Sequence, residues 1–540
     1  MKKFISLILS ILLVFSLAIF TGCECEHDYG EWEVTTEATT SADGLQTRKC
    51  SKCGDKKEKV INKKYLLDLS VNEPTYGTVT PEGNNEISWG ESVTITAQPE
   101  DIASFEGWYN GETLVSDLAS YTFTMPEENV TLTAKFIYTA WLGDVADSFA
   151  GGNGSTDSPY LISNGAELAY LSSVLSNPTT APTYKNKNFA LTSNICLGGK
   201  EWKPIGPFNT SNGTNGDLVF TGNFYGQGYT ISNYKITTLQ NSKHTYFGLF
   251  GMVEGNIYNL HIAKAVMNLN FASTGVVRAG LLVGQVRNGG VFDCSIKGEA
   301  DVRVSENYAL FLGGIAGATY HSNIYRCSFE GKVSASNSYY NSMLSGPAVY
   351  VGGLVGYGGA QSPSPQTPNE IKDCYAITTS IYGSSSSGDT DVGGILGNGY
   401  EYTTNITNCY HIGTVGGGAK RYLRVGGIAG QAFITKNCYH KGNINVGGTS
   451  TSKQYALGVA SVRGSYTANI YVNGIKYNGG SQDTSINSLY EVLTVLDATN
   501  YVSFFTQTMA LDANVWDLTM LDFENSVYPT LKSANPIVFA

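Results

Sequence analysis

The feature that most constrains this 540-residue chain is a glycine-framed apolar string that returns at a near-constant interval. It stands as Gly248-Leu249-Phe250-Gly251, Gly280-Leu281-Leu282-Val283-Gly284, Gly313-Gly314-Ile315-Ala316-Gly317, Gly352-Gly353-Leu354-Val355-Gly356, Gly393-Gly394-Ile395-Leu396-Gly397 and Gly426-Gly427-Ile428-Ala429-Gly430. Successive copies lie 33 to 41 residues apart, measured between their last glycines. A period of that length marks a solenoid, because one copy per coil can stack on the copy before it and extend a continuous core. A second ladder keeps step: an aliphatic residue, two intervening residues, then Leu or Cys. It reads Ile257–Leu260, Val291–Cys294, Ile324–Cys327, Ile371–Cys374 and Ile406–Cys409, with Ile434–Cys438 longer by one. Side chains in register point the same way and Leu260 fills the cysteine slot, so these cysteines are expected to be buried free thiols rather than disulfides.

Composition agrees with a fold built from strands. Charged residues are only 15% of the chain, while Gly (62) and Tyr (35) are abundant, which favours strands joined by glycine turns. The net charge is −11 and no Lys/Arg cluster is long enough to track phosphates, so nucleic acid is not an expected partner. The predicted organisation is a targeting segment (1–22), a cysteine-bearing segment (23–63), a small β domain (64–137), an opening module of the solenoid (138–240), the repeats (241–475) and a closing segment (476–540).

The N-terminus carries Lys2 and Lys3, an apolar run from Phe4 to Phe20, then Thr21-Gly22-Cys23. This resembles the bacterial lipoprotein signal, with Phe20 where that family favours Leu. The resemblance implies export, acylation of Cys23 and a lipid tether to the membrane at the cell surface. Next come Cys25, His27, Cys50 and Cys53. Four N/S ligands in two close pairs suit tetrahedral zinc, and in a segment too small for a core the metal would supply folding energy. With four protein ligands such a zinc would be structural. A disulfide between two of these cysteines is the competing reading in an exported protein. The segment is similar to short zinc-ribbon-type modules of bacterial surface proteins.

Residues 64–137 alternate apolar and polar, as in Val93, Ile95 and Ala97, and again in Val130, Leu132, Ala134 and Phe136, the pattern of half-buried strands. Together with Trp89-Gly90-Glu91-Ser92-Val93, Phe105-Glu106-Gly107-Trp108 and Tyr121-Thr122-Phe123-Thr124-Met125, they resemble the repeat related to the internalin B-repeats. That resemblance implies a compact β-grasp-like or β-sandwich spacer with Phe105 and Trp108 in its core. The glycine strings resemble the GLUG repeat of bacterial surface proteins, and Pro159-Tyr160-Leu161-Ile162 and Trp202-Lys203-Pro204-Ile205-Gly206 resemble the module that opens such arrays. The implied fold class is all-β, a right-handed parallel β-helix. No activity is implied.

A search for chemistry finds little. Asp293 and Asp373 share the slot before the ladder cysteine, but Arg326 fills it on the coil between them. Asp389 and Asp391 fall in a Ser/Gly-rich stretch and are expected to be solvated; Glu401 has no evident partner. His411 and His440 each follow Cys-Tyr and are expected to form an aromatic ladder on the surface. Two intervals are lengthened, around Tyr339 and Tyr340 and from Tyr357 to Pro368. In solenoids such insertions often form the binding face, so Tyr339, Tyr340, Tyr357, Tyr400 and Tyr402 are the candidate ligand contacts for a glycan or a host or cell-surface protein. The expectation is a non-catalytic adhesion or binding protein. A β-helix polysaccharide lyase or glycoside hydrolase, and a purely structural rod, are the alternatives.

Overall fold

The computed structural model describes residues 26–207, 218–237, 245–273, 275–305, 309–339, 346–360, 367–399, 404–448, 453–458, 470–478, 491–493 and 496–539. The chain is nearly all β and divides into two units, residues 1–139 and 140–540.

In the first unit a three-stranded antiparallel sheet (Glu33–Thr36, Gly44–Lys49, Lys56–Ile61) precedes two sheets that enclose a separate core. One of these has five strands, in the order Gly83–Ser88, Lys64–Val71, Val130–Tyr138, Ala103–Asn110, Thr113–Ser116. The other has three, Ser120–Thr124, Ser92–Pro99 and Gly77–Thr80. Leu67, Ile95, Trp108, Met125 and Phe136 are buried between them. Phe105 meets Trp108 and Phe136 edge-on at 5.8 Å, so these aromatic rings are core, as expected.

The second unit is a parallel β-solenoid of about 8 turns. Each full coil contributes one strand to each of four parallel sheets. One coil shows the order: Val277–Gly280 in sheet A, Val283–Arg287 in sheet B, Gly290–Phe292 in sheet C and Ser295–Ser305 in sheet D. The glycine strings form the corner between A and B, and they pair in register from coil to coil, Gly280 with Gly313, Gly313 with Gly352, Gly352 with Gly393 and Gly393 with Gly426. At this corner two backbones nearly touch. A Cβ on the last glycine of the string would stand 2.3, 2.5, 2.6 or 2.8 Å from a backbone nitrogen of the preceding coil at Gly317, Gly356, Gly397 or Gly430.

The doubled glycine has its own cause. A Cβ on Gly314, Gly353, Gly394 or Gly427 would lie 2.0 to 2.4 Å from a carbonyl oxygen of the next coil, and on Gly314, Gly394 and Gly427 it would also lie 2.4 Å from the ring of Phe329, His411 or His440. Where sheet D instead presents Ile262 or Ile296, the same corner carries Leu249 or Leu281, all four fully buried or nearly so. Small and large residues alternate across the core to keep its volume filled.

Between C and D the slot before the ladder residue adopts left-handed backbone on every coil, with φ of 46–57° at Asn259, Asp293, Arg326, Asp373, Asn408 and Asn437. Asn and Asp enter that conformation more easily than other residues with a side chain. The ladder cysteines Cys294, Cys327, Cys374, Cys409 and Cys438 are buried and free. Each thiol donates to the carbonyl two residues earlier, at 3.1 to 3.3 Å. Burial pushes the thiols of Cys294, Cys327 and Cys409 up, so they are inert there. One pairing departs from the expectation. Ile406 is in register with Thr435, not Ile434, so the three-residue spacing to Cys438 is kept and a hydroxyl takes the inward slot. The Thr435 Oγ1 is buried without a hydrogen-bond partner.

Two elements interrupt the all-β expectation. A helix, Gly165–Ser176, is capped by Asn164, whose side chain accepts from Glu167 N, while Glu167 reaches back to Ser163 N at 2.6 Å. It places Leu168, Leu171 and Leu175 in the main core at the opening coils, because the first coil has no earlier neighbour to cover it. The closing segment lies on the outer face of sheet D. Leu496, Tyr501, Phe504, Phe505 and Trp516 pack on the tyrosine row Tyr375, Tyr410 and Tyr439. The tail then returns toward the opening coils, where Ile537 exchanges two hydrogen bonds with Gln227 and Phe539 meets Tyr225.

Two substitutions test this packing by chemical unfolding. Gly317→Ala places a methyl 2.3 Å from Ala279 N and is expected to cost about 1–3 kcal/mol. Thr435→Val removes the orphaned hydroxyl at constant shape and is expected to gain about 1 kcal/mol.

Candidate functional site

His27, Cys50 and Cys53 come together in the first unit. Cys50 closes onto a tight turn in which Gly54 N donates to Cys50 O (2.9 Å) and Cys50 N to Asp55 O (2.8 Å). Gly54 takes the left-handed conformation, φ 78°. The turn carries Cys53 back toward His27, with 3.3 Å between Cys53 Sγ and His27 Nδ1. One donor atom from each of the three residues lies within 4.8 Å of the others. Burial opposes ionisation of Cys50, but hydrogen bonds from the Cys53, Lys52 and Asp28 backbone and from His27 outweigh it and bring the thiol down to about 6. Two thiolates and an imidazole are a soft donor set that fits zinc. Cys25, the expected fourth ligand, and Cys23 lie outside the described residues, as does the rest of the targeting segment. Among the described residues no helix is long and apolar enough to cross a membrane.

The candidate tyrosines separate. Tyr340, Tyr400 and Tyr402 lie outside the described residues. Tyr339 follows the strand Ser328–Asn337 of sheet D, at the corner leading to sheet A. Its carbonyl accepts from the hydroxyls of Ser386 (3.1 Å) and Ser387 (2.6 Å) on the next coil. Tyr357 is not a loop residue. The strand Val355–Gly359 of sheet B contains it, and the insertion begins only at residue 360, at the corner between B and C. Tyr357 faces an outer seam where sheets A and B converge, 4.5 Å from Phe311 and 5.6 Å from Tyr350, ring to ring. Close backbone approach at the glycine corner brings these outward side chains together, and they form a small second core.

The seam turns from aromatic to ionic on the following coils. Asp391, expected to be solvated, is fully buried in the strand Gly388–Gly393. Its carboxylate accepts from Arg424 at 2.9 Å and from Asn398. Burial raises the Asp391 carboxyl against the pull of Arg424. In-register pairing of Tyr350, Asp391 and Arg424 puts the opposite charges on adjacent coils. Among the described residues the other candidate aspartates are similarly engaged. Arg326 forks onto Asp293 at 2.5 and 2.7 Å, Asp373 accepts from Asn408 at 2.9 Å, and Asp389 pairs with Arg421 at 3.7 Å. Glu401 lies outside the described residues. Counting back two residues from the first glycine of each string would have aligned Asp391 with Arg424, so this cluster was available to a register argument that stopped at the core.

Residues 67–140 match the family model of the divergent InlB B-repeat domain. No curated protein matches the chain. A bacterial repeat domain joined to a β-solenoid fits a surface structural or binding protein.

His411 and His440 are not on the surface. Both are fully buried in sheet D, in the inward row that holds Phe329 and Ala376 on earlier coils. The rings stack at 5.1 Å with 4° between planes. Their Nδ1 atoms are 3.0 Å apart, and His411 Nε2 lies 2.9 Å from Thr378 Oγ1. Burial holds both imidazoles well below their usual value, with His440 at about 3 and His411 lowered further by its neighbour. Both are therefore neutral in the folded chain, whereas in the unfolded chain they titrate near about 6.5. The unfolded state binds more protons below that pH, so stability is full above it and falls as the pH drops from about 6.5 toward the folded-state values. The expected slope is about 1.4 kcal/mol per pH unit for each ring. Urea midpoints between pH 7 and 4.5 check this, and His440→Phe, which follows the precedent of Phe329, is expected to flatten the slope.

Proposed function

We propose that this chain is a lipid-anchored bacterial surface protein that binds a glycan or a protein of another cell through the corners of its solenoid, without catalysis. Cys23 is the tether, the cysteine-bearing segment is a zinc-stapled base, the InlB-like domain is a spacer, and the coils are the binding element. The observation that carries the reading is the separation of rod from insertions. Ile324 pairs with Ile371 although 47 residues separate them, and Ile371 then pairs with Ile406 after only 35. Extra chain is thus confined to corners while the core ladder continues unbroken, which is how solenoids present variable binding loops on a rigid support. Engagement of Asp293, Asp373, Asp389 and Asp391 in ion pairs and hydrogen bonds supports binding over hydrolysis, which uses a pair of carboxyl groups free to act on one bond. The likeness of the glycine strings to the GLUG repeat supports a surface location.

Two measurements test this reading. Elemental analysis of the chain purified from residue 24 onward is expected to find about one zinc per molecule, as a closed four-ligand site requires. The metal should be lost in Cys50→Ser/Cys53→Ser, and a metal-free product with a Cys50–Cys53 disulfide removes the zinc assignment. On glycan and cell-surface protein arrays the same chain is expected to bind saturably. Replacing residues 340–345 and 361–366 by short Gly-Ser links should weaken that binding by about tenfold or more, as loss of the principal contacts does. Release of oligosaccharide from any array component overturns the non-catalytic reading.

A further inference from the structure

The corner that follows Asn337 borders a structured trough on sheet D. Three consecutive coils are in register there, Ser334 with Tyr382 and Gly416, and two residues on, Ser336 with Ser384 and Gly418. Alternation places these positions on the outer face, since Ala335, Gly383 and Gly417 between them face the core. Gly416 and Gly418 leave the third coil without side chains. Into that space leans the phenol of Tyr382, whose hydroxyl is 3.5 Å from where a Cβ on Gly418 would sit. The phenol therefore reaches over the next coil, and it remains 43% exposed. A ring so exposed leaves apolar surface open to solvent beside the sheet.

Beside it, Ser336, Ser384 and Gly418 line a hollow of about 360 Å³ that ends at Ser338, Ser386 and Lys420, within the size range of ligand sites. Ser386 donates to Tyr339 O. Among the described residues the hydroxyls of Ser336 and Ser384 hold no protein hydrogen bond. Two unspent hydroxyls on adjacent coils, each able to donate and accept, thus flank a solvent-facing aromatic ring.

We propose that this trough binds a linear saccharide laid along the solenoid axis, with one sugar ring stacked on Tyr382 and hydroxyls of successive units bonded to Ser384 and Ser336. Sugar rings pair an apolar face with a rim of hydroxyls, and the trough offers the complement of each. Equivalent donors recur at the coil spacing of about 4.8 Å, close to the length of one unit in an extended polysaccharide. A peptide strand would need free backbone edges, but these strands are paired on both sides. A polyanion would need a cluster of cations, and among the described residues Lys420 is the only one lining the hollow. The inference rests on the surface-binding reading and names its ligand class and contacts.

The test is calorimetric titration of the chain from residue 24 onward with three neutral linear hexasaccharides: β-1,4-glucan, β-1,4-mannan and β-1,4-xylan. At least one is expected to bind. Tyr382→Ala should weaken it by about tenfold or more, Tyr382→Phe by no more than about twofold, and Ser336→Val/Ser384→Val by about threefold to tenfold, as befits stacking plus net hydrogen bonds. Tyr382 and both serines are outward-facing, and unchanged unfolding midpoints verify that the variants fold. Binding that survives Tyr382→Ala overturns the trough while leaving the chain a glycan binder. Binding by none of the three overturns the saccharide assignment, and array binding to a protein then keeps the surface-binding reading.

Discussion

The solenoid depends on one steric fact, the near-contact of two backbones at the corner between sheets A and B. Because a Cβ on the last glycine of each string would sit under 3 Å from a backbone atom of the preceding coil, no side chain fits there. The chain turns sharply, sheets A and B converge on their outer side, and residues that ought to face water enclose one another instead. Tyr350, Tyr357 and Phe311 owe their stacking to that convergence, and Asp391 its burial beside Arg424. Doubling the glycine frees further room in the interior, which Phe329, His411 and His440 fill. Local backbone geometry thus decides which large residue the opposite wall accommodates.

Polar groups are placed by the same periodicity. Left-handed residues between C and D recur on every coil, and their side chains bond along the stack, Asn437 to Asn408 at 2.8 Å and Asn408 to Asp373 at 2.9 Å. Arg326 is the exception in residue type, and its fork on Asp293 holds it in that slot. The buried histidine pair differs from these ladders. Neutral imidazoles are compatible with the core, whereas protonated ones are not, so this stretch of wall is acid-sensitive in a way that a row of isoleucines would not be.

Function follows from what the repetition leaves free. A wall that repeats about every 33 residues tolerates extra chain only at corners, where no ladder is broken. The outer faces of the strands then differ by location: the closing segment covers the tyrosine row of sheet D, the seam between A and B fills itself, and the trough beside Tyr382 stays open. The first unit has its own core and a thiol–imidazole cluster near its start.

Much of the fold was written in the chain itself. Strings such as Gly313-Gly314-Ile315-Ala316-Gly317 and pairs such as Ile324–Cys327 specify an inward face and a period, and these suffice for a solenoid with buried thiols. His27, Cys50 and Cys53 were legible because ligand spacing is a local property. Other features depended on neighbours that sequence separation hides. Ile434 looked like the inward residue until pairing with Ile406 gave that slot to Thr435; Asp391 looked solvated because its burial arises from sheets A and B converging; His411 and His440 looked superficial because alternation on sheet D is fixed by strand pairing rather than by the preceding Cys-Tyr. Tyr382 carried no signal at all, since its exposed ring is defined by two glycines on the next coil. The amino-acid sequence by itself determined the repeat, its inward face and the glycine corners, all set by short-range sterics and periodicity. The tertiary structure alone decided which outward side chains are covered and which remain open, because that depends on contacts between coils and on where the closing segment comes to lie.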